Sequence, residues 1–202
     1  NPHVKLYFNG GPAEPDNSDD PALSNNRKCE QMDYVDIESL PGGYWGYTHF
    51  PICVNHLNHT GKDLTMMNGR FHLSWGDFGA LRNLEALEYE CFRGLANGTH
   101  VCIGDQMHPR GILEPAVYER IGQVFKKIKD REPWLESTRK CVQIGVYLSN
   151  PVTHPPGLPE EGAYRIFTEL HQPIDFLDFE NDVEGYDLLV LPDQVELDQA
   201  AA

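Results

Sequence analysis

An alternation of strands with long amphipathic helices constrains the fold of this chain more than any other feature. The strand candidates 70–75 and 101–104 are each followed by a segment in which apolar residues recur every three or four positions, from Leu81 and from Pro115. The order strand, helix, strand, helix requires parallel strands joined by right-handed crossovers. The sequence therefore predicts an α/β protein, built either as an α/β barrel or as an open doubly wound sheet.

Residues 132–140 divide the chain into two predicted domains, because a helix ends there in a Pro-Trp and charged stretch before a new strand begins. We place the first domain at 1–135 and the second at 141–202. The second domain contains one and a half strand–helix–strand units, so its sheet is incomplete. The other predicted elements are strands at 4–8, 34–38 and 142–148, a Pro-rich loop at 150–159, a helix around 164–171, and strands at 174–177 and 186–191.

The charge and composition of the chain argue against two classes of partner. The formal net charge is −15, and nucleic-acid affinity depends on clustered Lys and Arg, so we expect no nucleic-acid binding. No apolar run in the sequence approaches the roughly 20 residues of a membrane-spanning helix, so we expect no membrane partner. The five cysteines are odd in number and scattered, which indicates buried thiols and favours a reducing compartment such as the cytoplasm.

Carboxylates, aromatic rings and amides follow the ends of the predicted strands. The active site of a parallel α/β protein lies where its strands end, because the loops there meet on one face. Glu38, Asp77 and Asp105 are predicted to be catalytic, since sugar cleavage needs carboxyl groups as acid and nucleophile. Aromatic faces suit the apolar side of a sugar ring, and amide, His or Arg groups suit its hydroxyls. The predicted substrate-binding residues are Trp45, Tyr47, His72, Trp75, Gln106, His108 and Arg110.

Each of these acids also has a purely structural interpretation. Glu38 shares one strand face with Asp36, and a strand-end acid can pair with a neighbouring cation or cap the following turn. Asp77 can cap a helix, and Asp105 can belong to a closing salt-bridge network. The residue pattern leaves both interpretations open.

A group of metal-ligand side chains recurs at helical spacing and could place ligand atoms along one helix face. The spacing matches no zinc signature, apolar residues are interleaved, and no Gly-rich phosphate loop is present in the sequence. We therefore predict neither a metal nor another cofactor. The group consists of His49, Cys53, His56 and His59.

Five motifs give the chain a resemblance to a known group of proteins. They are residues 37–47 (IESLPGGYWGY), 69–79 (GRFHLSWGDFG), 86–91 (ALEYEC), 103–111 (IGDQMHPRG) and 117–122 (VYERIG). In these motifs the chain resembles the hypothetical glycosyl hydrolase family six group, glycosidases that are related in fold to α-L-fucosidases. The resemblance covers nearly the whole chain and is specific over residues 37–47 and 69–122.

The resemblance implies a fold and an assembly. The early strands would form the C-terminal half of a (β/α)8 barrel, and the first half would lie outside this chain. An incomplete flavodoxin-like doubly wound domain would follow, similar to the trimerisation domain of β-galactosidases, which suggests a homo-oligomer, a trimer. The active site would then take a second carboxylate from an earlier strand, so we expect these 202 residues to be inactive in isolation.

The leading functional hypothesis is hydrolysis of an O-glycosidic bond in a carbohydrate substrate by the full-length protein, with Glu38 the favoured acid within this chain. The alternative is a non-catalytic carbohydrate-binding or assembly protein on a glycosidase-like barrel. A flavodoxin-like or amidotransferase-like module ranks last, because Cys141 precedes its strand and so cannot be a nucleophile at a strand-to-helix turn.

Overall fold

The computed structural model describes residues 3–7, 29–148, 157–179, 181–193, 195 and 197, and it contains two three-stranded parallel sheets. The first sheet has the strand order β1–β2–β3, and the second has the order β5–β4–β6. The prediction of an α/β protein with parallel strands is confirmed. The strands are β1 (Tyr34–Glu38), β2 (Asp63–Gly69), β3 (His100–Gly104), β4 (Ile144–Tyr147), β5 (Ile174–Leu177) and β6 (Leu188–Val190).

The helices begin and end where local sequence signals place them. The side chain of Asn83 accepts a hydrogen bond of 2.7 Å from the Ala86 amide and caps the helix after β2, and Gly98, with φ of 77°, follows its end. Pro115 opens the helix after β3, where its missing N–H costs nothing. The helices are α1 (His49–Leu57), α2 (Leu84–Ala96), α3 (Pro115–Lys129), α4 (Glu132–Leu135) and α5 (Leu158–Glu169).

The first sheet buries one face against helices. In β1, Val35 and Ile37 are fully buried, while Tyr34, Asp36 and Glu38 are half-buried, as the two-residue period of a strand requires. These side chains pack with Val54 and Leu57 of α1. Further along the sheet, α2 packs on β3 and is itself covered by α3.

The opposite face of the first sheet is more polar and ends in two glycines. Glu38 is registered with Met67 of β2, and Met67 with Cys102 of β3. The next step along the sheet pairs Gly69 with Gly104, so the carboxyl ends of β2 and β3 carry no side chain. Glu38 therefore stands at the same edge as this bare pair of strand ends.

Helix α1 contributes to the cores of both sheets. Its residue Ile52 packs in one cluster with Val146, Leu148 and Phe176 of the second sheet region, and Phe176 is fully buried. Next to this cluster, the Lys140 ammonium donates to Asn55 Oδ1 at 2.8 Å. The two sheets are thus joined through α1 as well as through the connecting chain.

Two predicted strands are wrong. Residues 4–7 are exposed and irregular, and residue 8 lies outside the described residues. The Leu6 amide donates to the Asp33 carboxylate at 2.6 Å, and the Leu6 carbonyl accepts from the Asp33 amide at 2.8 Å, so a side chain takes up one of the two backbone groups of Leu6. The strand placed at 70–75 ends at Gly69 instead, because the Arg70 carbonyl accepts from the Arg82 amide at 2.8 Å and the chain leaves the sheet.

Smaller differences concern the second sheet region and the cysteines. Strands β4 and β6 are shorter than predicted, and the helix placed around 164–171 begins at Leu158, because Pro159 fits a first helical turn. Of the predicted Pro-rich loop, residues 150–156 lie outside the described residues. The prediction of buried thiols is wrong for two of the five cysteines, Cys102 and Cys141, which are exposed. Among the helices that the structure describes, none is long and apolar enough to span a membrane.

Candidate active site

Glu38 and Trp75 meet at the carboxyl edge of the first sheet. Glu38 is the last residue of β1 and is half-buried, and Trp75 lies in the loop that follows β2. The Trp75 indole nitrogen donates a hydrogen bond to Glu38 Oε1. A carboxylate oxygen and an indole N–H that are 37 residues apart in the chain are therefore in direct contact at the strand ends.

The Trp75 ring lies over the two glycines that end β2 and β3. A Cβ on Gly104 would stand 2.6 Å from Trp75 Cζ3, and one on Gly69 would stand 3.4 Å from the same atom. Phe71 closes the side of the ring, edge-on at a centroid distance of 5.3 Å. Only glycine at position 104 leaves room for the ring where the structure has it.

Arg70 and Asp105 form a largely buried ion pair, and the Arg70 guanidinium lies over the Phe71 ring. Arg70 Nε donates to Asp105 Oδ1 at 2.8 Å, and the same oxygen accepts the Gln106 amide at 2.7 Å. The Arg70 guanidinium also donates to the carbonyls of Phe78, at 3.2 Å, and Ala80, at 2.6 Å. Arg70 thus ties the loop after β2 to the first residue after β3.

A cleft of about 260 Å³ is lined in part by this ion pair. Its lining combines polar and apolar side chains, which is the combination that a sugar ring requires. The polar side chains include Arg70, Asp105, Gln106 and His108, and the apolar ones include Phe78 and Ile112.

A second buried ion pair, between Arg82 and Glu90, supports the loop after β2. Arg82 Nε lies 3.0 Å from Glu90 Oε1, and Asn68 Nδ2 donates to Glu90 Oε2 at 2.7 Å. Burial raises the pKa of Glu90, although Arg82, Asn68 and Tyr47 oppose the rise by stabilising the carboxylate. Arg82 in turn donates to the Phe71 carbonyl at 3.3 Å, so this pair helps to fix the loop that carries Trp75.

Two consecutive glycines let the turn after β1 approach that loop. The π-type turn Pro41–Trp45 follows Glu38 closely, and a Cβ on Gly42 would collide with the His72 carbonyl and stand 2.8 Å from Arg82 Nη2. A Cβ on Gly43 would stand 3.1 Å from the Leu73 carbonyl. The turn and the loop therefore pack backbone to backbone.

The structure brings Glu38, Trp75 and Asp105 to one edge of the sheet and gives Asp77 a structural contact. The Asp77 carboxylate accepts the Leu73 amide at 3.2 Å within its own loop. Asp105 is held by Arg70, which corresponds to the salt-bridge interpretation of the sequence. The catalytic roles of these acids remain predictions.

The predicted substrate-binding residues are spread around this edge. Gln106 and His108 line the cleft, and His108 Nδ1 accepts the Arg110 amide at 3.1 Å in an exposed turn. Tyr47 is exposed and packs edge-on against Tyr89 of α2 at 5.6 Å. The others are His72, which is exposed, and Trp45, whose ring centroid lies 5.2 Å from that of His49.

Sequence reasoning missed the buried polar residues beneath the site. Arg70, Arg82, Asn68 and Glu90 are all almost fully buried, yet none of them was predicted as a site residue. Arg70 stands directly after a strand end, and that position was the available signal. Their partners lie far apart in the sequence, so pairing them requires the fold.

The four metal-ligand side chains of 49–59 face different surroundings. His49 Nδ1 lies 3.1 Å from Ser39 Oγ in the first sheet region, and its Nε2 lies 3.4 Å from Cys53 Sγ. His56 instead faces the second sheet, with Nδ1 3.4 Å from the Phe176 carbonyl, and burial lowers its pKa. Within the described ranges, no group of three or more His, Cys, Asp or Glu side chains could hold a metal ion.

The fold of this chain is similar to part of a known glycosidase structure. The chain is similar to the solved structure of α-L-fucosidase isoenzyme 2 from Paenibacillus thiaminolyticus, with a TM-score of 0.86 and 30% sequence identity over 98% of this chain. The chain spans 30% of the length of that fucosidase. No protein-family model and no curated protein sequence matches the chain.

Proposed function

We propose that this chain carries part of the active site of a glycoside hydrolase, which cleaves an O-glycosidic bond by acid–base catalysis in the full-length enzyme. The observation that carries the proposal is the position of Glu38, at a strand end and in contact with Trp75, within a fold similar to that of an α-L-fucosidase. Strand-end carboxylates next to aromatic rings suit the cleavage of sugars.

Glu38 is our candidate for the catalytic carboxyl group within this chain. Glycosidases need one carboxyl group that protonates the leaving oxygen and a second that attacks the anomeric carbon or activates water. Asp77 and Asp105 are the other predicted acids, but they accept the Leu73 amide and the Arg70 guanidinium, which suits holding the loops in place. We therefore expect the second catalytic carboxylate to come from a part of the full-length protein outside this chain.

The substrate that we propose is a carbohydrate bound along the carboxyl edge of the first sheet. Gln106 and His108 supply hydrogen-bonding groups to the lining of the cleft, and Phe78 and Ile112 supply apolar surface. Because the similar solved structure is named an α-L-fucosidase, an aryl α-L-fucoside is the first substrate to test. The further candidate contacts are Trp45, Tyr47, His72 and Arg110.

We also propose the architecture that the resemblance implies. The parallel sheet β1–β2–β3, with helices on one face and the polar Glu38 face on the other, supports assignment to the C-terminal half of a (β/α)8 barrel spanning 1–135. The parallel order β5–β4–β6 supports a flavodoxin-like start for 141–202. A homotrimer and inactivity of the isolated 202 residues follow from the same assignment.

The experiment that tests the function is replacement of Glu38 in the full-length protein. Glu38→Gln keeps the size of the side chain but cannot donate an acid proton or attack, and we expect kcat on its aryl glycoside to fall by about 10²–10⁴-fold. Glu119→Gln, an exposed residue of α3, is the matched control and should leave kcat unchanged. Unchanged turnover in Glu38→Gln would refute the assignment.

A non-catalytic carbohydrate-binding protein is the second candidate, because two of the three predicted acids are engaged in structural contacts. The two functions are separated by screening aryl glycosides with the wild-type full-length protein. Saturable sugar binding without release of the aryl group would favour the binding protein.

A further inference from the structure

We infer that Trp75 is a positioning residue for Glu38, seated on the glycine ends of β2 and β3, and that the ring does not serve as a sugar-binding platform. The inference deepens the proposed glycosidase function and rests on it. Three observations carry it: the hydrogen bond from Trp75 to Glu38, the glycine seat beneath the ring, and the loop contacts that hold both.

The hydrogen bond to Glu38 uses the one polar group of the Trp75 indole. An indole has one N–H and accepts nothing, so its single donor is committed to Glu38 Oε1. A hydrogen bond to one carboxylate oxygen fixes the rotation of the carboxyl group about its last bond. Holding a reacting group in one orientation is a main source of rate acceleration in enzymes.

The glycine seat determines where the ring can lie. Gly69 and Gly104 are registered neighbours at the ends of β2 and β3. The ring occupies the space that a side chain at Gly104 would take and lies within van der Waals distance of a Cβ at Gly69, where Phe71 and Leu40 are closer. The ring retains 38% exposure, and Phe71 closes one of its edges. The sheet itself therefore sets the height and direction of the indole N–H relative to Glu38 at the end of β1.

The loop contacts keep the seat closed. Arg82 donates to the carbonyl of Phe71, and the Arg70 amide donates to the Gly104 carbonyl at 3.0 Å. The first contact joins the two ends of the loop that carries Trp75, and the second holds the start of this loop against the end of β3. A substitution at Gly104, beneath the ring, is therefore the direct way to displace Trp75.

Two substitutions separate positioning from packing. Trp75→Phe keeps an aromatic ring but removes the N–H, whereas Gly104→Ala keeps the indole but places a methyl group 2.6 Å from Cζ3 and forces the ring to move. Gly122→Ala is the matched control, because a methyl group there meets no other atom within 4 Å. Neither Gly104 nor Gly122 has a positive φ, so neither alanine strains the backbone. The two variants therefore differ only in whether the added methyl group displaces a neighbouring side chain.

The first measurement does not depend on turnover. In the full-length protein with ¹⁵N-labelled tryptophan, we expect Glu38→Ala and Gly104→Ala to shift the indole N–H resonance that Trp75→Phe removes. The resonances of Trp45 and Trp134 serve as internal references, and Gly122→Ala should leave all three in place. If Glu38→Ala leaves the chemical shift of the Trp75 indole N–H unchanged, the inference is overturned.

The second measurement uses kinetics on the aryl glycoside. Loss of a hydrogen bond to a charged group should lower kcat roughly 10-fold in Trp75→Phe and in Gly104→Ala, with little change in KM. A rise in KM at constant kcat would overturn the inference in favour of a sugar platform. If the wild-type protein turns over no glycoside, the proposed function fails, while the resonance measurement still decides whether Trp75 holds Glu38.

Discussion

Replacing Glu90 by leucine should cost about 3–5 kcal/mol of unfolding free energy, because it leaves the Arg82 guanidinium buried without its counter-charge. The two side chains are only 3% and 2% exposed, and Arg82 Nε lies 3.0 Å from Glu90 Oε1. Leucine is no smaller than glutamate, so the cost comes from the uncompensated charge and from the lost partner of Asn68 rather than from a cavity.

The same reasoning predicts what happens when both charges are removed. In the double variant Arg82→Met/Glu90→Leu no charge is left unpaired, so the loss of unfolding free energy should shrink to about 1–2 kcal/mol. This remainder comes mainly from the Asn68 amide and the Phe71 carbonyl, which lose their hydrogen-bond partners. Glu88→Leu, two residues earlier in α2, is the control. Its pair with Lys127 is partly exposed, at 20% and 46%, so this substitution should cost less than about 1 kcal/mol.

Urea unfolding followed by circular dichroism at neutral pH measures these three variants and the single variant Arg82→Met. The reasoning is refuted if Glu90→Leu costs no more than Glu88→Leu. It is refuted equally if the double variant loses as much as the sum of its two single variants, since the residues would then not act as a pair.

Two further predictions concern pH and helix capping. Because burial raises the pKa of Glu90 above its ordinary 4.5, the folded state holds this proton at pH values just above 4.5 where the unfolded state has released it. The unfolding free energy should therefore fall as pH rises through that window, and Glu90→Gln should flatten this fall in urea titrations; an unchanged slope would contradict it. Asn83→Ala should cost about 1 kcal/mol in the same assay by removing the cap of α2, Asn83→Ser should recover most of it, and equal stability of the two would contradict the cap.

Helix periodicity predicted α2 and α3 well, because each buries one apolar stripe and has a clear terminal signal. Strand β2 was misplaced for a physical reason. Met66 and Met67 interrupt the polar–apolar alternation within β2, whereas the following residues 70–75 (RFHLSW) alternate strictly and include two aromatic residues. What ends the strand is the contact of Arg70 with Arg82, and a contact of this kind is not visible in local composition.

The candidate site was predictable in its edge but not in its contacts. Parallel strands bring their carboxyl ends together, and this rule placed Glu38, Trp75 and Asp105 in one region. The hydrogen bond between Trp75 and Glu38 depends on Gly104, whose absent side chain is a condition that residue pattern alone does not reveal. The support from Arg70 likewise depends on a partner 35 residues away.

Helix α1 gives the border between the two predicted domains an unusual location. The boundary between the predicted domains falls between residues 135 and 141 in the sequence. In the structure, however, the contact between the two sheet regions lies along α1, where Ile52 packs among side chains of the second sheet region. An excised 1–135 piece would thus expose the apolar side chain of Ile52 and leave Asn55 Oδ1 without the Lys140 ammonium. Any dissection of this protein into stable halves has to redesign that helix surface as well as choose a cleavage point.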